Sequence, residues 1–461
     1  MMRRLALPPR YAAIVLGCLL FLVASDGAVL LRGATATPLI GLGTLLASLL
    51  GMGCLIGAVY RRPTPSAVVE TSSDTPHLAV RAGGRPPDAP TNRASPVRTF
   101  LRYLILAVGA ALALDSVIAA LLGVTLLLAP PSQAYPTDAI SFAHADAALV
   151  LAGVNPYTAD NHFPEILAAY PHTLATPLRG RVFGMGDEYP SDARILAVQR
   201  RYLADPASEM GAFDPATLHS YPALSFLLYV PLLAVGLRNI LVLHLLVYVG
   251  LFVWLVSLAP PGLRRWAALV AAANAIILGY SFLGDAQGIC LALVLAAWHF
   301  RNRRFAGPIL LGLACAYRQY CWFFVPFFLL AWAFPSSESA VSPPLSVRGE
   351  GAGGEVPFSP RRLMCPALLT LAAFLLPNLL YIVASPGPWL ASLWLPMTDP
   401  MFPAGMGLDA LSIGHLLPYV PSPVYGVLEA LALAGALWAA WRWRDRLGDG
   451  ALLLALVPLF V

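Results

Sequence analysis

The chain has 461 residues, of which 58% are hydrophobic and only 11% charged, and its mean hydropathy is +0.72. A soluble domain carries about twice that charged fraction, so a soluble globule is excluded. The formal net charge of +5 comes entirely from arginine, since the sequence has no lysine. Those arginines lie mostly beside apolar runs, which reports membrane orientation and speaks against a nucleic-acid partner. Runs of roughly 20 apolar residues suit helices, whereas a barrel would show alternating segments of about 10. The expected fold class is an all-α polytopic membrane protein.

Residues 1–62 read as an N-terminal two-helix membrane hairpin, with spans over 11–31 and 37–60. The start resembles a signal peptide, but a second span follows at once and no small-residue cleavage site is clear, so it reads as a retained anchor. Arg3, Arg4 and Arg10 before the pair and Arg61 and Arg62 after it place both ends inside. Asp26, near the outer end of the first span, reads as an interfacial group facing water. Residues 63–98, rich in Pro, Ser, Thr, Gly and Arg, read as a disordered cytoplasmic linker.

A membrane core is expected over 99–334. Its first span, 101–129, ends at Pro130 and Pro131, which cannot continue a helix. Asp115 in that span reads as a buried hydrogen-bonded group, with a proton relay as the alternative. Residues 130–218 form one large polar loop with ten acids against five arginines, too long for its charge to set orientation. Four apolar runs follow, 219–236, 240–259, 266–283 and 285–300. If all four cross, Arg264, Arg265, Arg301, Arg303 and Arg304 fall outside; if the first stays on the outer face, they fall inside. The second reading is preferred, because Pro222 and Pro231 weaken that run and it has only 18 residues.

The short apolar pair 305–317 and 321–334 is expected to turn at Arg318-Gln319-Tyr320 on the outer side and return to a second disordered cytoplasmic linker, 335–362. C-terminal membrane helices over 363–461 then cross outward at 364–384, run exterior over 385–422, and return at 424–441 to the arginines of 442–446. The last apolar run ends at Val461 and reads as truncated or as a very short tail; with it the count is about eleven crossings. All six cysteines fall in apolar runs and read as small core residues.

Four places in register carry a resemblance: Asp138 ahead of LVLAGVNPY, Tyr221-Pro222 after the long loop, Gly284-Asp285-Ala286-Gln287-Gly288 at an outer turn, and Ala316-Tyr317-Arg318-Gln319. Together they resemble the GT-C superfamily of integral-membrane glycosyltransferases, in its bacterial polyprenyl-phosphate-sugar-dependent, mannosyltransferase-like branch. The resemblance covers about residues 101–334 and implies a GT-C-like fold with a large first exterior loop. It also implies a lipid-linked sugar donor, a glycan or lipid acceptor, membrane lipid as partner, and a site on the exterior face of a bacterial plasma membrane.

Asp138 matches the family's catalytic base, the competing reading being a helix N-cap. Asp146 is the rival base, or a group on the polar face of the same helix. Arg318 matches a basic position suited to the donor's phosphate, the alternative being a structural pair with Asp285. Gln319, Asp285, Gln287, Asn155, Tyr157 and Tyr221 complete the substrate-binding candidates. For Asn155-Pro156-Tyr157 the structural alternative is that Gly153 and Pro156 stop the helix while Tyr157 lies at the lipid interface. His144, His162, His172 and His219 have no metal-ligand spacing, and no metal site is assigned. Asp187-Glu188 is the candidate for a divalent cation, against a solvated acidic turn. The readings from other classes are a membrane transporter or flippase, although no internal repeat is evident, and a non-catalytic scaffold, which an Asp138 ion pair with Arg194 or Arg200 would favour.

Overall fold

The computed structural model describes residues 37–60, 138–159, 175–186, 188–205, 213–214, 219–262, 287–334, 360–402, 407–418 and 420–460, with single positions elsewhere. Most of the first and third expected spans and of the 266–283 run, the 63–98 linker, residues 335–359 of the second linker, Asp26, Asp115, Asp187 and Asp285 lie outside the described residues, while residues 360–362, expected to end that linker, are helical.

Helix α1, Pro38–Val59, opens with proline at its first position, and the Thr37 hydroxyl accepts from Ile40 N at 3.3 Å. Helix α2, Asp138–Leu151, ends where the sequence places its stop. Gly153 takes φ +78°, and Val154 N and Gly153 N bond back to Leu149 O (2.9 Å) and Val150 O (3.0 Å), satisfying carbonyls the helix end leaves bare. Two-residue strands β1, Thr176–Pro177, and β2, Phe213–Asp214, pair antiparallel, and α3, Asp192–Ala204, lies between them in sequence. Then come two short helices, α4 (Leu224–Leu227) and α5 (Val230–Ala234), followed by α6 (Leu241–Leu258) and α7 (Gln287–His299).

Helix α8, Ala306–Tyr317, is followed by a 3₁₀ turn over Gln319–Phe324 and by α9, Val325–Ala333. The remaining helices are α10 (Pro360–Ala384), α11 (Pro386–Thr398), α12 (Asp409–Ile413), α13 (Ser422–Arg442) and α14 (Arg444–Leu447), with a closing 3₁₀ segment over Gly448–Phe460. Helix α11 falls in the stretch expected to be only Pro- and aromatic-rich exterior chain.

Among the described residues four helices are long and apolar enough to cross a membrane: Pro38–Val59, Leu241–Leu258, Arg362–Ala384 and Pro423–Arg442. Their outward faces carry large apolar side chains, Leu376 and Val383 each about three-quarters exposed, which hydrocarbon tolerates and water does not. The protein is an all-α membrane protein. Inside it, α8 and α10 meet closely at Gly312, where an added Cβ would stand 2.3 Å from Thr370 O, the small-residue contact by which membrane helices gain packing. Cys290, Cys315 and Cys321 are buried thiols in this core, whereas Cys365 is exposed, contrary to the core reading.

The bundle has two unlike ends. At one, Arg446 bonds Tyr60 OH, Arg301 pairs with Asp449, Trp332 Nε1 donates to Arg301 O at 3.0 Å, and Arg444 stacks 5.0 Å from the Phe334 ring. The ends of α1, α7, α9 and α13 therefore gather among arginines. At the other end lie Asp138, His219 and Tyr221, with Gln319 donating to Ser220 O at 2.6 Å and Asn155 to Ser385 Oγ at 2.9 Å. The chain thus turns back at Arg318 between α8 and α9.

The run after the loop is broken. Tyr229, Val235 and Gly236 (φ +84°) interrupt it, so Leu224–Ala234 is 11 residues, about 17 Å if helical throughout, against the roughly 30 Å of a bilayer core. Both flanks lie at the Asp138 end. His219 and Ser220 line a cleft with Asp138, while Tyr135 OH donates to Arg238 O (3.2 Å) and accepts from Ile240 N (3.0 Å).

Candidate functional site

Asp138 opens α2, and its carboxylate is held by three donors. Oδ1 accepts from Ala139 N at 2.8 Å, and Oδ2 from Thr176 N and Thr176 Oγ1, both at 2.7 Å. The bond to Ala139 is local, as the N-cap reading expects; the two from Thr176 come from β1, which pairs with β2 while Gln199 of α3 accepts from Ala175 N at 3.2 Å. The folded part of the long polar loop therefore aims Thr176 at Asp138. Asp138 is half-buried. Crowding by protein holds its carboxyl above the ordinary carboxylate range, the hydrogen bonds from Thr176 and Ala139 pulling the other way. Arg194 is not its partner, since Arg194 donates to Val182 O at 2.8 Å, and Arg200 is exposed.

A cleft with about 310 Å³ of empty volume opens over Asp138, lined also by Phe142, Thr176, His219, Ser220 and Tyr221. The Tyr221 ring is shared, since its centroid lies 3.3 Å from the Arg318 guanidinium carbon, a close cation–π stack. Arg318 is buried and extended (φ −150°, ψ 144°), where α8 breaks. It does not line the cleft itself; Tyr221 joins the two. Gln319 holds the chain beside Tyr221 through Ser220 O and ties it, at 3.4 Å, to Leu393 O of α11.

The remaining candidates divide. Asn155 is a brace, its Oδ1 accepting from Tyr157 N at 3.0 Å while its Nδ2 reaches Ser385. Tyr157 is fully buried, correcting the expectation of a lipid-interface tyrosine: its hydroxyl donates to Tyr221 O at 2.7 Å, and its ring meets Tyr381 edge-on at 5.2 Å. Tyr157 therefore supports Tyr221. Gln287 begins α7, its side chain outside the described residues along with Asp285. Glu188 is exposed, and among the described residues no group of three or more His, Cys, Asp or Glu could hold a metal ion.

Asp146 is a second correction. It is buried rather than on a polar face, with its Oδ2 2.5 Å from His219 Nδ1. The approach lies outside hydrogen-bond geometry, so it is a close polar contact rather than an in-line bond. His219 Nε2 lies 2.7 Å from Ser225 Oγ, which in turn bonds Pro222 O at 2.7 Å. Aromatic rings enclose the imidazole, with Phe226 at 4.9 Å, Tyr221 at 5.6 Å and Tyr157 at 5.8 Å. An Asp-His-Ser series can resemble a hydrolase triad, but Ser225 is buried and its hydroxyl is engaged by a carbonyl. These groups instead fix the chain on which Tyr221 stands. Nearby, burial lowers the His144 pKa to about 4; it is neutral at pH 7, with Nδ1 2.8 Å from Tyr135 OH.

Sequence reasoning missed Thr176, the structural use of His219, and Asn378. Asn378 is a polar residue inside an apolar span, a signal that was legible. Its Oδ1 accepts from Ala223 N at 2.9 Å and Trp389 Nε1 at 3.2 Å, tying α10 to the broken run. Thr176 gave no signal, because nothing local distinguishes it from other loop threonines. Comparison with family models, with curated proteins and with solved structures gives no match to this chain.

Proposed function

We propose that the protein is a GT-C-like membrane glycosyltransferase that moves a sugar from a polyprenyl-phosphate donor to an acceptor hydroxyl at the exterior face, with inversion. The observation that carries this reading is the Tyr221 ring, which lines the cleft of a carboxylate and stacks on a buried arginine. In this chemistry the acceptor oxygen attacks the anomeric carbon and its proton passes to Asp138. The bond from that carbon to the phosphate oxygen breaks, and the electron pair leaves on polyprenyl phosphate near Arg318. A carboxyl made more basic by its surroundings suits the first role. A planar guanidinium suits the second, since it can bond two phosphate oxygens at once. The reaction is tested by incubating the purified full chain with radiolabelled polyprenyl-phosphate sugars and a panel of lipid and glycan acceptors, following loss of label from the donor. No transfer from any donor overturns it.

Arg318→Lys keeps the charge but loses the planar fork and the stack on Tyr221. The expected result is a donor KM raised about tenfold with kcat changed less. An unchanged KM separates Arg318 from the donor.

The topology that accompanies this reading has about eleven crossings, the arginine-rich end inside and the Asp138 end outside. Under it 221–236 does not cross. Single cysteines introduced beside residues 219 and 239, in a chain with its own cysteines replaced, are expected to label equally from the exterior. Labelling from opposite sides would make the run a span and invert everything after it.

A further inference from the structure

The arginine-rich end holds a second concave site, distant from Asp138 and independent of the glycosyltransferase reading. A cleft with about 570 Å³ of empty volume lies where α7, α9 and α13 end. Its polar rim is Arg301, Asn302, Arg444 and Asp449, and its wall is apolar, chiefly Phe327, Leu330 and Phe334. Both guanidinium groups are stacked rather than loose, Arg301 4.7 Å from the Trp298 ring and Arg444 5.0 Å from the Phe334 ring. Stacking removes much of the rotamer freedom that a flexible arginine would lose on binding a ligand.

Two further observations place this cleft at the boundary between hydrocarbon and water. Trp438, Trp441 and Trp443 are 57, 47 and 39% exposed around the end of α13, and Phe300 and Phe305 are exposed beside α7 and α8. Exposed tryptophans collected at one level of a membrane protein mark the headgroup region. Arg303, Arg304, Arg442 and Arg446 are exposed at the same end. Arg301 pairs with Asp449, which is 76% exposed, and Arg444 Nε lies 3.8 Å from an Asp445 oxygen that is itself exposed, so the excess of positive charge at this end comes from Arg303, Arg304, Arg442 and Arg446 around the rim.

We propose that this cleft binds the headgroup of an anionic phospholipid, its phosphate between Arg301 and Arg444 and the first carbons of its chains along the Phe327, Leu330 and Phe334 wall. A basic recess at headgroup depth attracts such lipids, each arginine contributing about a fivefold gain in affinity. Asp449 opposes the ligand by holding Arg301.

The test titrates the purified full chain, in uncharged detergent, with short-chain phosphatidylglycerol, with phosphatidylcholine of equal chain length, and with inorganic phosphate, reading Tm. Phosphatidylglycerol is expected to raise Tm saturably at concentrations where the other two do not. An equal shift from phosphatidylcholine would remove the charge recognition, and an equal shift from inorganic phosphate would make the site a free-anion site. Arg444→Gln is expected to raise the half-saturating phosphatidylglycerol concentration about fivefold. Asp449→Asn keeps every arginine and is expected to lower that concentration. Weaker binding by Asp449→Asn, or an unaltered titration in Arg444→Gln, would overturn the assignment.

Discussion

Asp138→Asn is expected to lower glycosyl transfer by about 10²–10⁴-fold, the range for losing a general base. Asparagine keeps the size but cannot take the acceptor's proton, and its amide sets a donor against Ala139 N–H or Thr176 N–H, where the carboxylate accepts from both. Some destabilisation therefore accompanies the change, and donor binding with Tm measured alongside separates a misfolded chain from a folded, inactive one. The pH profile gives the sharper readout. Because the surroundings raise the carboxyl above its ordinary range, the acid limb of kcat/KM is expected above the usual aspartate value of about 3.9. Thr176→Val removes the hydroxyl donor that lowers this pKa and is expected to move the limb further up. For folding the sign is opposite in use: a raised carboxyl favours the neutral form, so its contribution to stability is full below the unfolded value and is lost as pH rises through the folded one. A folded Asp138→Asn protein with near-normal turnover would remove Asp138 from the chemistry.

How much of this was legible depended on the range of the interaction. The stop of α2 at Gly153 is local and was read correctly, because a residue with positive φ after an amphipathic stretch has few other uses. The long apolar runs at 240–259, 364–384 and 424–441 became α6, α10 and α13 within a few residues, since hydropathy fixes a span by composition. Arginine placement separated the two ends of the bundle for a similar reason. The site was legible only as a set of single residues. Asp146 failed as a surface group because its burial depends on His219, 73 positions away in sequence, whose arrival no helical periodicity announces. Tyr157 failed for the same reason: a tyrosine after Asn-Pro suits an interface until Tyr221 supplies a buried carbonyl for its hydroxyl. Polar pairs that meet across a bundle leave no pattern within either segment.

Asp146→Ala is expected to be clearly destabilising, by about 1–3 kcal/mol, the cost of leaving a buried polar partner unsatisfied. The estimate follows from where the partner is left. His219 is nearly inaccessible to solvent and enclosed by Phe226, Tyr221 and Tyr157, so its Nδ1 would lose the carboxylate 2.5 Å away. The damage should spread to the Pro222–Ser225 turn, which His219 holds through Ser225, and so to Tyr221 and the stack on Arg318. Donor affinity should therefore fall along with Tm even in protein that remains folded. His219→Phe, which fills the aromatic cage with another ring, is expected to cost less in the Asp146→Ala background than alone, because no buried carboxylate then remains to be stranded. The cycle of the two single variants and the double variant is thus expected to be strongly non-additive. Additive losses would mean that Asp146 and His219 are neighbours without a shared charge interaction, and the brace under Tyr221 would then have to come from Tyr157 and Gln319 alone.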